Sequence, residues 1–267
     1  MKRTELRKVL EQAVAAARDA GAVLQRQQHK RKKIDSEEQY DIKLELDRKC
    51  QAIVEKRLIR FSAEIPILGE EGQSEDVETT YRWVVDPIDG TVNVAYGIPH
   101  ACVSIALQER SEGKEIFGPY RSVVGVVFDP YQGELFTVIR GMKAKLNGRI
   151  MAVSERKTLK EAIVTTGFAK SKSMFSETLP FFNRLAPKVR KVRMMGSAAL
   201  SLSYVAAGRF DGYVEGITNI WDVAAGSLLC EAAGGEFWSK PLDGDYKYRL
   251  IATNGHIGKA LRRLAKG

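Results

Sequence analysis

The segment Asp86-Pro87-Ile88-Asp89-Gly90-Thr91 places two carboxylates three residues apart, straight after the short apolar run Trp83-Val84-Val85. A tight turn at the end of a strand lets two such groups converge, and Pro87 restricts that turn. Gly90 leaves room for a ligand close to the backbone, and Thr91 adds a hydroxyl that can orient a water. Oxygen donors of this kind suit Mg²⁺, which keeps several waters and takes phosphate oxygens into its shell. The same residue types also build Asx-turns and helix caps, so the local pattern leaves both readings open.

Further acids lie at a distance in the chain. Gly69-Glu70-Glu71-Gly72 follows the apolar run Ile65-Pro66-Ile67-Leu68. It reads either as a polar turn or as a strand end that delivers one carboxylate inward. Asp222 in Trp221-Asp222-Val223-Ala224-Ala225-Gly226 precedes an apolar helix. It is first of all an N-cap, and a metal ligand if that helix start faces the other acids. Asp41 and Asp47 bracket the start of another helix. Glu70, Asp86, Asp89 and Asp222 together form a hard-cation set, each costly to bury without a partner. Two divalent ions held a few ångströms apart would polarise a phosphate, activate a water and hold the leaving oxygen.

These residues must be positioned by a mixture of helices and strands. Residues 5–28 read as an amphipathic helix, with Leu6, Val9, Leu10, Ala13, Val14, Ala17, Gly21 and Leu24 recurring at three and four. The polar stretch 29–40 reads as a loop. A second helix over 44–61 is predicted to bury Leu46, Cys50, Ile53, Val54, Leu58 and Phe61. Strands are predicted at 82–85, 102–107, 122–128, 134–139, 150–153 and 162–166, with Asp129-Pro130-Tyr131-Gln132-Gly133 as a hairpin turn. Helices near 174–185, 198–207, 222–233 and 256–266 alternate with strands near 189–194, 210–214, 236–238 and 249–252. The mixture implies a layered α/β or α+β architecture rather than a regular α/β barrel. No linker separates independent domains, so the chain reads as one unit over 1–267. An internal division is expected between a metal-bearing part, 1–150, and a substrate-bearing part, 151–267.

Composition excludes several classes. Apolar residues make up 44% of the 267 residues, which rules out wholesale disorder. No apolar run approaches the roughly 18 residues of a membrane span, and the charged N-terminus is followed by no signal-peptide core. A membrane partner is therefore not expected. Cys50, Cys102 and Cys230 are far apart, which fits a reducing, cytoplasmic setting better than a disulfide scaffold. His29, His100 and His256 are scattered, and none is placed as a phosphate-accepting nucleophile. The formal charge of +9 suits a phosphorylated small molecule or a nucleic acid. One concentration of charge is His29-Lys30-Arg31-Lys32-Lys33, and another is Lys259, Arg262, Arg263 and Lys266. Neither carries the aromatic interleaving of a single-strand-binding surface, so nucleic acid is not the expected partner.

The segment Trp83 to Asn93, with Gly69-Glu70-Glu71-Gly72 before it, resembles the first signature of the inositol monophosphatase family. Trp221 to Gly226, running on to Glu231-Ala232-Ala233-Gly234-Gly235, resembles the second. Gly196-Ser197-Ala198-Ala199 and Ala206 to Gly212 are similar to the stretches between them, and the resemblance spans about residues 5–265. It implies the αβαβα sandwich of the sugar phosphatases, usually a homodimer, and lithium-sensitive hydrolysis supported by two or three Mg²⁺ ions. Glu70, Asp86, the Ile88 carbonyl, Asp89 and Asp222 match the family's metal ligands, with Glu71 as a supporting acid. Asp47 and Thr91, helped by Glu70, match the groups that orient the nucleophilic water, and the N–H groups of Gly90 and Thr91 those that hold phosphate.

Glu215 matches a contact to substrate hydroxyls, and Gly196, Ser197 and Ala198 line the same pocket. Asn219 stands where many inositol phosphatases carry histidine, and its amide still serves a polyol. The segment with Lys33 is placed over the site, where its cations would meet the phosphate, and Asp41 is near the place of a third metal. The expected substrate is a small polyol or sugar phosphate, with inositol monophosphate first. Histidinol phosphate, fructose 1,6-bisphosphate and an adenosine bisphosphate are the rivals within the fold, and a non-catalytic binding protein is the alternative outside it.

Overall fold

The computed structural model describes residues 1–28, 30, 34–38, 41–73, 78–167 and 172–266. The first helix, α1 (Arg3–Gln27), turns Val9, Ala13, Ala16, Ala17, Ala20 and Leu24 inward at helical spacing. Two short strands follow, β1 (Ile34–Glu38) and β2 (Asp41–Leu44), paired antiparallel. The stretch read as a loop therefore contains a strand, because the backbone of residues 34–38 finds its hydrogen bonds on residues 41–44 without needing an apolar face. Helix α2 (Glu45–Phe61) buries Leu46, Cys50, Val54 and Leu58. Phe61, expected inside, is 37% exposed at the helix end, and Ile53 is half-buried.

The chain then builds an eight-stranded sheet. Its members are β3 (Ile67–Gly69), β4 (Gly72–Gln73), β5 (Tyr81–Asp89), β6 (Cys102–Glu115), β7 (Gly118–Asp129), β8 (Glu134–Ile139), β9 (Lys145–Leu146) and β10 (Arg149–Ile150). The short helix α3 (Thr91–Ala95) leaves the end of β5. The spatial order is β10-β9-β8-β7-β6-β5-β3-β4, antiparallel except for β3 beside β5. Asp129 forms the expected turn between β7 and β8 by accepting the N–H groups of Tyr131 and Gln132. The strand expected over 150–153 stops at Ile150. Beyond it the chain is tied to the second sheet by side chains, as Asp211 shows below.

The second sheet has five strands in the order β12-β11-β13-β15-β14. In chain order its elements are β11 (Ile163–Thr166), α4 (Lys172–Leu185), β12 (Lys191–Arg193), α5 (Ala198–Ala206), β13 (Gly212–Asn219), α6 (Ile220–Ala232), β14 (Glu236–Pro241), β15 (Lys247–Thr253) and α7 (Gly258–Lys266). Three apolar cores define the layers. One joins α1 and α2 to the eight-stranded sheet through residues such as Leu24, Leu58, Trp83 and Ile105. Another places α5 and α6 between the two sheets, with Leu200, Leu202 and Leu229 against Val127 on one side and Leu250 on the other. The last packs Phe181, Leu185, Ile257 and Leu261 on the outer face of the five-stranded sheet. The architecture is thus an αβαβα sandwich. No helix among the described residues is long and apolar enough to cross a membrane.

Candidate active site

Strand pleat alone would separate Asp86 from Asp89, because residues an odd number apart face opposite sides of a sheet. The register resolves this. Asp86 lies opposite Ser104 and Asp89 opposite Cys102, so three steps on β5 match two on β6. The extra residue is a bulge, and it brings both carboxylates to the face of Cys102 and Ser104. Ile88 occupies the other face, in the core beneath α1 and α2. Its N–H donates to Asp86 Oδ1 at 2.9 Å, which holds the bulge where a turn at the strand end was expected.

Asp222 arrives from the middle layer. Asn219 is the N-cap of α6, and Asp222 stands at the third helical position. It is therefore not the cap itself, as the sequence pattern implied; its Oδ2 accepts the Asn219 N–H and the Thr218 hydroxyl, each at 2.8 Å. This reciprocal arrangement fixes the carboxylate at the helix start. The Ser104 hydroxyl donates to the Trp221 carbonyl at 3.3 Å and so ties the start of α6 to β6. As a result Asp86, Asp89 and Asp222 each offer a carboxylate oxygen within 4.8 Å of the others.

Glu70 reaches the same place from the turn after β3, where its N–H donates to the Val85 carbonyl. Its pKa is pushed up to about 8, by burial first and then by Asp222, Asp47 and Glu71. Burial also drives Asp86 well above the ordinary carboxylate range, reinforced by Glu70, Asp89 and Asp222. Asp89 rises to about 7 through burial and Asp222, while hydrogen bonds from Ser197, Ala199 and Ala198 oppose the rise. Two buried carboxylates and a half-buried one, with converging oxygens crowded by charge of their own sign, are a donor set that fits a hard divalent cation.

The Thr91 hydroxyl lies 3.0 Å from the Ile88 carbonyl and 3.2 Å from Asp47 Oδ1. Asp47 itself is buried on α2. Gly90 has φ +107°, and an added Cβ would stand 3.0 Å from the His100 carbonyl oxygen. Only glycine lets α3 start there, with its first N–H groups free of intrahelical partners. On the facing side Gly196, Ser197 and Ala198 lead into α5, but two of them turn onto Asp89. The Ser197 hydroxyl donates to Asp89 Oδ2 at 2.6 Å and the Ala198 N–H to Oδ1 at 3.2 Å. Gly196 packs against the Asn93 side chain.

Glu215 is buried on β13, where it accepts the Tyr213 hydroxyl at 3.0 Å. Gly167 makes room for it, since a Cβ there would fall 1.7 Å from Glu215 Oε2. The reading from sequence missed Tyr213 and the Ala199 N–H on Asp89. The only signal for the latter was a serine just before an apolar helix. Asp41 opens β2, where its backbone pairs with Glu38. Lys33, with Arg31 and Lys32, lies outside the described residues.

Residues 5–264 match the model of the inositol monophosphatase family. An inositol-1-monophosphatase of Rhizobium meliloti is 38% identical over 276 residues, covering 99% of this chain and 97% of that protein. A Nus factor SuhB of Xylella fastidiosa is 40% identical over 264 residues, covering 94% and 92%. Among solved structures, the extragenic suppressor protein SuhB of Bartonella henselae has a TM-score of 0.85 at 35% identity, covering 97% of this chain and 98% of that one. An inositol monophosphatase of Anabaena has a TM-score of 0.83 at 34% identity, covering 98% and 96%. The chain belongs to the inositol monophosphatase family. It is an enzyme of the magnesium-dependent phosphomonoesterase class that this fold and acidic cluster define.

Proposed function

We propose that this enzyme hydrolyses a small polyol phosphate, inositol monophosphate first, with two or three Mg²⁺ ions per site. The observation that carries the reading is the convergence of Asp86, Asp89 and Asp222 from two separate layers. These three, with Glu70 and the Ile88 carbonyl, would hold the metal, and Glu71 and Asp41 would support it. Bound Mg²⁺ would neutralise charge on the phosphoryl oxygens and favour ionisation of a water.

The chain's own groups do the rest. The Thr91 hydroxyl donates toward Asp47, which leaves its lone pair free to accept a hydrogen bond from the attacking water. Asp47 and Glu70 then flank the path by which the proton leaves. The N–H groups of Gly90 and Thr91, at the open end of α3, would hold a phosphoryl oxygen. Glu215 would accept substrate hydroxyls, its carboxylate steadied by Tyr213, with Asn219 and Gly196 bordering the same space, while Ser197 and Ala198 bond Asp89.

Under this reading residues 1–150 carry most of the metal ligands and 151–267 the substrate side. Histidinol phosphate, fructose 1,6-bisphosphate and an adenosine bisphosphate remain the rival substrates. The relative from Xylella fastidiosa is named as a Nus factor; the present proposal rests on the carboxylate cluster and takes no nucleic acid or membrane as partner.

The proposal includes a lithium-sensitive, cytoplasmic homodimer. Apolar Tyr96, Ile98 and Met194 are exposed on two segments that Asn93 ties together through the His100 and Met195 carbonyls. Light scattering would give twice 29.7 kDa for a dimer. The deciding experiment measures phosphate release from a panel of these esters with Mg²⁺, with chelator, and with added Li⁺. Fastest release from inositol monophosphate, only with Mg²⁺, supports the proposal. Release that persists in chelator, or none from any ester, overturns it.

A further inference from the structure

Asp89 receives more hydrogen bonds than its role as a ligand requires. Its Oδ2 accepts the Ser197 hydroxyl and the Ala199 N–H, each at 2.6 Å, with the Cys102 thiol 3.8 Å away. Among the described residues its Oδ1 accepts only the Ala198 N–H, at 3.2 Å. Ser197 is buried, at 4% exposure. It is also the N-cap of α5, where its Oγ accepts the Leu200 N–H at 3.3 Å. Its hydroxyl thus accepts from the helix and donates its proton to Asp89, so both of its functions are in use.

We infer that Ser197, with the first N–H groups of α5, is a positioning device for the metal ligand Asp89, not a contact for the substrate. This rests on the reading of the acidic cluster as a Mg²⁺ site. A carboxylate oxygen that takes two short hydrogen bonds has little capacity left for a cation, whereas an oxygen with one long bond has a lone pair to spare. Asp89 therefore serves the metal through Oδ1 alone. Its rotamer is set by a helix of the middle layer, and the two halves of the chain must dock before the ligand set is complete. Outer partners of this kind set ligand orientation, and their loss costs about 10- to 100-fold in metal affinity.

The test separates the hydroxyl's two roles. Ser197→Gly removes the hydroxyl yet retains a residue well tolerated at an N-cap. Ser197→Thr keeps a donor hydroxyl. Mg²⁺ affinity is measured by titration calorimetry and by the Mg²⁺-dependent rise in Tm, beside the Tm in chelator and KM for the ester at saturating Mg²⁺. The expected result for Ser197→Gly is a Mg²⁺ Kd raised about 10-fold or more. Its Tm in chelator should stay near wild type and its KM should be little changed, while Ser197→Thr binds Mg²⁺ as wild type does. A wild-type Mg²⁺ Kd in Ser197→Gly, with KM raised instead, overturns the inference in favour of a substrate contact. Should Ser197→Gly fail to fold, Ser197→Thr still decides, because a Mg²⁺ Kd raised in a folded threonine variant contradicts the rescue. Failure of the phosphatase reading has a different signature, since wild type itself would then bind no Mg²⁺.

Discussion

Two buried acidic centres in this molecule are built on opposite principles. Asp211, fully buried before β13, is surrounded by donors. Its Oδ1 accepts the Ser154 hydroxyl and Arg156 Nε, and its Oδ2 accepts the Ile163 N–H at 2.7 Å. Asn254 closes the ring by donating to Ser154 Oγ and to the Arg156 carbonyl. The segment after β10 is fastened to the second sheet in this way. Asp86, equally buried, is faced instead by Glu70, Asp89 and Asp222. A buried acid given donors and an opposite charge serves the fold. Acids crowded against their own kind raise the energy of the closed state until a cation or protons relieve them, and so serve chemistry.

The sharpest way to break this contrast is Asp89→Asn. If the cluster holds Mg²⁺, loss of a ligand should cost more than the loss of an outer partner, so activity should fall by at least about 100-fold. Full Mg²⁺-dependent phosphate release by this variant would dissolve the distinction between the two centres.

The next effect is on pH. Glu70 at about 8 and Asp89 at about 7 lie above their unfolded values. The fold therefore keeps protons that the unfolded chain has already released. The stability these groups contribute is full below about pH 4, falls as pH rises, and is lost once pH has passed through the folded values near 7 and 8. Chelated protein should melt at a higher temperature at pH 5 than at pH 8, and excess Mg²⁺ should shrink the difference. Melts independent of pH in chelator would count against the crowded cluster.

Smaller again is the direct gain from metal. Mg²⁺ at about a hundredfold over its Kd should stabilise the wild type by about 2.7 kcal/mol. Asp86→Asn and Asp222→Asn should reduce that gain, and Asp86→Asn should leave the chelated protein no less stable, because repulsion is relieved. Urea unfolding with chelator and with Mg²⁺ measures both.

A change of similar size sharpens the other side of the comparison. Asp211→Asn removes the charge-assisted bonds to Arg156 and the acceptor for Ile163. It should cost about 1.5–3 kcal/mol of stability and leave the Mg²⁺-dependent gain as it is in wild type. A loss of Mg²⁺ binding without a loss of stability would show that this acid too belongs to the active site.

What could be read from the sequence alone follows from how local each property is. The helical periods of α1 and α2, the Asp129 turn and the layered α/β class are set by short-range patterns, and so they were legible. The acids Glu70, Asp86, Asp89 and Asp222 were recognisable from residue type and motif, but the turn expected at Pro87 is a bulge inside β5, which runs on to Asp89. Tertiary structure decided how they meet. Pleat parity would have parted Asp86 from Asp89, and only pairing with β6 reveals the bulge that reunites them. Asp222 became a third-position partner of Asn219 rather than the cap, a shift of three residues that the docking of α6 on β6 fixes. Phe61 has the right spacing for burial yet emerges at the end of α2, since burial there depends on what packs against the last turn. The hold of Ser197 on Asp89 spans 108 residues of sequence, and no local pattern reports a contact made only when two layers close on each other.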